Sequence, residues 1–202
     1  MRCYKVKKLL PAIDIAAVLY GTTHAQDFDA GYAAYEAEDY LDALQEWRPL
    51  AEEGVVGAQY NLGFMYSNGQ GVPPDYEEAV KWYRQAAEQG DVDAQYNLGF
   101  FYSAGRGVPQ NYAESVNWYR KAAEQGDASA QANLGFMYYN GWGVPKDYSV
   151  AHMWSNIANA NGNENGAKLR DLVAEGMNPE DISKAQDMAM ECMSSNYQNC
   201  GY

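Results

Sequence analysis

Basic residues are in short supply. Fourteen Lys and Arg stand against 27 Asp and Glu, a net charge of −13. The excess is spread along the chain, so a phosphate backbone is repelled over most of the surface and nucleic acid is excluded as a partner. Histidine occurs twice and cysteine three times. Long apolar runs are lacking: the best candidate, Leu9 to Tyr20, is interrupted by Asp14 and is too short to cross a bilayer. No P-loop, Cys-x-x-Cys, HExxH or Gly-x-Ser-x-Gly sequence occurs, which removes the commoner routes to phosphate, metal and nucleophile chemistry.

What is present suffices for a folded core, since 47% of the 202 residues are hydrophobic. Tyrosine is abundant, with 18 copies, and its large ring with a polar tip suits half-buried contact surfaces. At the N-terminus Arg2, Lys5, Lys7 and Lys8 precede the apolar stretch, and Thr23-His24-Ala25 offers small residues for cleavage, so residues 1–25 are expected to be a signal peptide. Asp14 opposes insertion. Cleavage before Gln26 removes four basic groups and one acid, leaving ten Lys and Arg against 26 Asp and Glu, a net charge of −16. It also removes Cys3, so that Cys192 and Cys200 remain, with seven residues between them. In an oxidising compartment that pair is a plausible disulfide, contributing about 2.5 kcal/mol in the chain-entropy description. In the cytosol the two would stay thiols.

The stretch NLGFMYSNGQGVP at 61–73 returns as NLGFFYSAGRGVP at 97–109 and NLGFMYYNGWGVP at 133–145, each time after 36 residues. Aligned over 58–93, 94–129 and 130–165, the units share Ala-x3-Leu-Gly-x2-Tyr-x2-Gly-x-Gly-Val-Pro, a Tyr at 76, 112 and 148, and a Trp at 82, 118 and 154. A fixed period of this length signals a solenoid. Ala58, Leu62, Met65 and Tyr66 fall on one face of a first helix, A. Gly63, Gly99 and Gly135 cost nearly 1 kcal/mol each in mid-helix, which calls for a close neighbour. Asn68-Gly69 stops helix A, and Val72 of Gly-Val-Pro serves as an apolar plug. Helix B then starts on a capping box, Asp75 with Glu78 and Asn111 with Glu114, and carries Ala79, Val80, Trp82, Tyr83, Ala86 and Ala87 on one stripe.

The pattern AQYNLGFMYSNGQGVPPDYEEAVKWYRQAAEQGD resembles the Sel1-like repeat, a relative of the tetratricopeptide repeat, in all three units. The resemblance implies an all-α fold, a right-handed α-α superhelix of helical hairpins. Upstream, Asp39-Tyr40-x2-Ala43-Leu44 to Gly54 aligns on Asp75 to Gly90 at the same spacing, but FDAGYAAYEAE lacks the Gly-Val-Pro loop; residues 26–57 are expected to form a divergent, tetratricopeptide-like first hairpin. Pro49 inside its second helix is unfavourable by about 3 kcal/mol unless the helix kinks. Downstream, residues 166–202 read as two capping helices and a tail, the last helix starting on Asn178-Pro179-Glu180-Asp181 and running to about Cys192.

Chemistry finds little support. After cleavage His152 is the one histidine, in the place of Val80 and Val116, and it reads as a packed residue rather than a base. NANGNENG at 159–166 is faintly like a calcium loop, but its asparagines are neutral and no Glu falls at position twelve; it reads as a polar linker. No catalytic residue, metal or cofactor is assigned. Some cysteine-rich secreted Sel1-like proteins are linked to penicillin binding, but the cysteine pair within each repeat and any Ser-x-x-Lys are missing here.

Binding remains. In the related tetratricopeptide architecture A helices line a concave groove, and the resemblance places there Tyr60, Phe64 and Ser67; Tyr96, Phe100 and Ser103; Ala132, Phe136 and Tyr139. Five rings in the first two and a half turns of successive A helices, Tyr60, Phe64, Tyr96, Phe100 and Phe136, suggest a contact surface; the alternative is that Phe64, Phe100 and Phe136 fill the space between A helices. Asn61, Asn97 and Asn133 either hold a bound peptide backbone or hydrogen-bond the neighbouring repeat. The expected protein is a monomeric, non-catalytic interaction scaffold of the periplasm or of the secreted set, with no transmembrane segment after cleavage. Its partner is a protein or peptide bearing basic residues. The rivals are an envelope hydrolase or small-ligand protein with an unrecognised site, and a homo-oligomer joined through the aromatic face.

Overall fold

The computed structural model describes residues 27–200; the expected signal peptide lies outside the described residues. Ten helices and no strand occur among them. Residues 27–36 form α1, followed by α2 (Tyr40–Glu52), α3 (Val56–Asn68), α4 (Tyr76–Glu88), α5 (Val92–Ala104), α6 (Tyr112–Ala123), α7 (Ala128–Asn140), α8 (Tyr148–Ala160), α9 (Glu164–Ala174) and α10 (Pro179–Ser194). From α2 to α9 each helix packs on its neighbours in sequence, the quasi-one-dimensional contact pattern of a solenoid. The A helices of the repeats are α3, α5 and α7, and the B helices are α4, α6 and α8.

The mid-helix glycines have a physical cause. A Cβ on Gly63 would stand 2.8 Å from the Tyr83 ring, and one on Gly99 would stand 2.7 Å from the Tyr119 ring. Each ring of helix B therefore lies directly on the backbone of helix A. The first hairpin repeats the device with Gly31 under Trp47, at the position that aligns with Tyr83. In the third repeat Ser155 takes the ring's place, and the α7 and α8 backbones close up, with Gly135 against Ser155 Oγ and the Ala151 carbonyl.

Polar groups in the seams are paired in register. Gln59, Gln95 and Gln131 are buried and donate to the carbonyls of Ala51, Ala87 and Ala123 at 3.0, 3.1 and 3.0 Å. These carbonyls stand in the last turns of α2, α4 and α6, where each also accepts from the N–H of Gly54, Gly90 or Gly126. Each glutamine also accepts from the end of the following B helix: Gln89 Nε2 at 2.7 Å, Gln125 Nε2 at 2.8 Å and Asn161 Nδ2 at 2.8 Å. One side chain thus ties three consecutive helices. The triple identity of Ala-Gln in the repeat carried this signal, and the sequence reading passed over it.

The helix ends follow the expected caps with one difference. Gly69, Gly105 and Gly141 stop the A helices in the left-handed region. Asp75 Oδ1 accepts from the Glu77 and Glu78 amides at 3.1 and 3.0 Å, but Glu78 turns to Lys81 (3.2 Å) rather than back to the cap. The cap's own N–H is already spent on the Tyr66 carbonyl at 2.9 Å, and Asn111 N–H goes to the Tyr102 carbonyl in the same way. The capping box is therefore half formed. Helix α2 runs through Pro49, which lies in its last turn. Gln45, whose carbonyl the proline cannot reach with a hydrogen bond, is on the exposed side with it, open to water. The 159–166 stretch is not a linker: α8 continues to Ala160 and α9 begins at Glu164, with Asn163 Oδ1 accepting from the Gly166 amide at 3.0 Å.

At the C-terminal end α10 lies on the outer face of α8. Met153 stands in α8 where the frame has exposed Lys81 and Asn117, and it is completely buried; apolar residues on an outer helix face marked the docking site of the cap. Cys192 and Cys200 are joined at an S–S distance of 2.01 Å, folding the tail back on the end of α10. His152 is 2% exposed, and its Nδ1 has no hydrogen-bond partner among the described residues. Burial, helped by the charge of Arg170, pushes the imidazole below its ordinary range.

Three consequences can be measured by urea denaturation. Gly99→Ala should destabilise, because overpacking against Tyr119 costs about 1–3 kcal/mol while the gain in helix propensity is at most about 1 kcal/mol. Gln95→Ala removes the buried bond to the Ala87 carbonyl and the bond accepted from Gln125, and should cost about 1–3 kcal/mol. For His152 the neutral ring is the form the fold favours, so protonation opposes folding. Its contribution is intact above the ordinary pKa of 6.5 and is lost as pH falls through the lower folded-state value. His152→Val, restoring the frame residue, should add about 1 kcal/mol and flatten the decline in stability between about pH 7 and pH 5.

Candidate functional site: the aromatic face of the A helices

Residues that face away from the packing stripe of the A helices fall on one surface. Ala58, Leu62, Met65 and Tyr66 are buried against helix B, as are their equivalents. Phe64, Phe100 and Phe136 point the other way and are 36%, 37% and 42% exposed. Tyr60 and Tyr96 are half-buried beside them, whereas Ala132, their equivalent in the third repeat, is buried.

Among the described residues, hollows lie between these helices. The first, of about 180 Å³, is lined by Tyr32, Tyr35 and Trp47 of the first hairpin and by Tyr60, Asn61 and Phe64 of α3. The second, of about 190 Å³, lies between α3 and α5, with Phe64, Ser67, Tyr76 and Tyr83 on one side and Asn97, Phe100 and Arg106 on the other. The third, of about 330 Å³, is its copy 36 residues on: Phe100, Ser103, Tyr112 and Tyr119 face Asn133, Phe136 and Trp142. The solenoid thus presents the same depression in successive repeats.

The expected site residues are brought together there, with their polar groups partly occupied. Ser67 and Ser103 turn their hydroxyls back onto their own helix, donating to the Phe64 and Phe100 carbonyls at 2.8 Å. Asn97 stands close enough to the Tyr60 hydroxyl of the preceding A helix, and Asn133 to that of Tyr119, for each amide to offset part of the effect of burial on the phenol. All three asparagines remain half-buried on the walls of the hollows. Tyr139 lies farther along, 5.7 Å from Tyr148, with Lys146 over both rings. Missing from the sequence reading were Tyr76, Tyr112 and the middle residue of the Gly-x-Gly loop. The recurring Tyr of helix B was a visible signal for the first two.

The rings are not poised for chemistry. Burial raises the Tyr83 phenol and brings Tyr119 up to about 12, so both stay protonated at neutral pH. Asp91 and Asp127, at the heads of α5 and α7, are raised by burial and by the Asp93 carboxylate, although backbone amides of their own caps pull the other way. Asp91 and Asp93 also raise the Tyr60 hydroxyl, after burial itself, which places negative charge at the edge of the face. Among the described residues no group of three His, Cys, Asp or Glu side chains is arranged to hold a metal, and no helix is long and apolar enough to cross a membrane.

Comparison with known proteins agrees with this architecture. The Sel1 repeat pattern matches residues 56–91, 92–127 and 128–163. A Sel1 repeat protein from Oxalobacter formigenes is similar in structure, with a TM-score of 0.69 and 32% identity over 85% of this chain and 72% of that one. A protective antigen present in uropathogenic Escherichia coli strains and displaying an SLR fold is similar at a TM-score of 0.61 and 27% identity, over 88% of this chain and 47% of its own. Among curated proteins none matches. With the repeat pattern spanning more than half of its residues, the chain belongs to the Sel1 repeat family.

Proposed function

We propose that the protein is a non-catalytic scaffold of the bacterial envelope that docks a peptide or protein partner on the aromatic face of its A helices. Sel1 repeats generally mediate protein–protein interaction, and proteins built from them are typically scaffolds without catalytic activity. The observation that carries the reading is the recurrence of a ring-lined hollow at each repeat junction, with Phe64, Phe100 and Phe136 each more than a third exposed. Large rings left partly wet in a row are costly unless a partner covers them. The net charge of −13 favours a partner with basic residues. Support for the envelope setting comes from the signal-like leader in the sequence and from the Cys192–Cys200 pair, a bridge that persists in an oxidising compartment. The protein acts as a monomer in this reading.

The test is affinity capture from an envelope extract with the chain from Gln26 onward, beside a Phe64→Ala, Phe100→Ala, Phe136→Ala variant whose helicity is checked by circular dichroism. A specific protein should be captured by the first and reduced at least about tenfold with the second, as truncation of central interface rings predicts. Equal capture by both would move the docking surface elsewhere. Concentration-dependent mass in light scattering would turn the face into a self-association surface.

A further inference from the structure

The second and third hollows share a frame and differ at the middle residue of the Gly-x-Gly loop, Arg106 against Trp142; the first repeat has Gln70 at that loop position. The loop is pressed against the preceding repeat. A Cβ on Gly107 would stand 2.2 Å from the Tyr76 carbonyl oxygen, and one on Gly143 would stand 2.3 Å from that of Tyr112; both glycines have positive φ, 65° and 74°. The residue before each is therefore carried across the junction onto the hollow. Gln70 hydrogen-bonds Tyr35 (3.1 Å). The Arg106 guanidinium lies over two rings, 5.6 Å from the centre of Tyr76 and 5.5 Å from that of Phe100. Those are cation–π distances.

One repeat on, the same two rings recur as Tyr112 and Phe136, and Trp142 replaces the arginine. Its indole stacks on Tyr112 at 5.0 Å and meets Phe136 edge to face at 5.4 Å and 83°. Trp142 and Phe136 are thus two walls at right angles, and Tyr96 and Phe100 of α5 add to the lining. The second hollow holds a cation of the chain itself. The third is larger, at about 330 against 190 Å³, and none of its lining residues is charged. It sits on a chain of net charge −13. Tryptophan is the strongest cation–π acceptor among the side chains.

We propose that the third hollow is an aromatic cage for an arginine side chain of the docked partner segment, and that Arg106 fills the corresponding cage of the second hollow from within. The inference rests on the docking reading above and names what that face selects. Specificity along the face is then written in one loop position per repeat. Arginine occupies the second hollow and tryptophan leaves the third open to a cation, while Gln70 at the same loop position is hydrogen-bonded to Tyr35.

The probe is the peptide acetyl-Gly-Gly-Arg-Gly-Gly-amide, with citrulline in place of arginine as the uncharged isostere. Both are titrated into ¹⁵N-labelled protein while the Trp142 indole signal and the α7 amide signals are followed. The arginine peptide should shift these signals saturably, and the citrulline peptide should bind at least about fivefold more weakly, as loss of a cation–π contact predicts. Trp142→Arg, which puts the chain's own guanidinium where Arg106 stands one repeat earlier, should abolish the α7 response with the spectrum otherwise retained. Arg106→Gln should add a response at Phe64 and Phe100. No saturable shift with the arginine peptide, equal binding of citrulline, or undiminished binding to Trp142→Arg would each overturn the cage. Affinity capture that depends on the three phenylalanines, without preference for arginine, would remove the cage and leave the docking reading standing.

Discussion

A tyrosine ring packed directly against a glycine decides how this chain is built. Gly63 with Tyr83 and Gly99 with Tyr119 let helix B approach helix A to the thickness of one ring, a separation that any Cβ would widen. The same rings reach sideways. Tyr83 lies 5.8 Å from Tyr60 and 5.7 Å from Phe101 of the next A helix, so one side chain sets both the hairpin and the step to its neighbour. The hollows on the A-helix face are floored by these rings, and the candidate site is a by-product of the contact that stacks the repeats.

The ends show what happens when the contact is altered. In the first hairpin the larger Trp47 ring takes the tyrosine's place over Gly31, and its indole N–H is satisfied by the Phe28 carbonyl at 3.2 Å. In the third repeat the ring is withdrawn. Ser155 Oγ donates to the Ala151 carbonyl at 2.7 Å, and α9 comes close enough that a Cβ on Gly166 would meet Ala158 at 2.7 Å. Tight backbone packing there, with α10 laid over α8, closes the end of the solenoid, which an unstacked repeat would leave apolar.

Charge and shape divide the labour of recognition. Acidic groups such as Asp91 and Asp93 stand near the edge of the face, while the third hollow is mainly aromatic and has no charged lining residue. In the proposed docking role, long-range attraction favours a basic partner, and selection among basic partners falls to the rings. Each Gly-x-Gly loop is pressed against the preceding repeat, and its middle residue differs between repeats while that contact is kept. In the proposed cage, what is bound would thus change one junction at a time.

The period of 36, the two helices of each unit, the caps at Asp75 and Asn111, and the need for close packing at Gly63 were all legible in the amino-acid sequence. Each depends on local backbone rules or on residues within one hairpin. The row of aromatics was legible too, as positions on a helix face. Tertiary structure alone decided that Phe64, Phe100 and Phe136 stay partly exposed, because exposure depends on how far the next A helix stands off. It also decided that Gln59 joins Ala51 to Gln89, and that Arg106 and Trp142 reach back onto the rings of the preceding repeat. Those contacts cross repeat junctions, where the geometry is the sum of many packed side chains and no spacing along the chain records it.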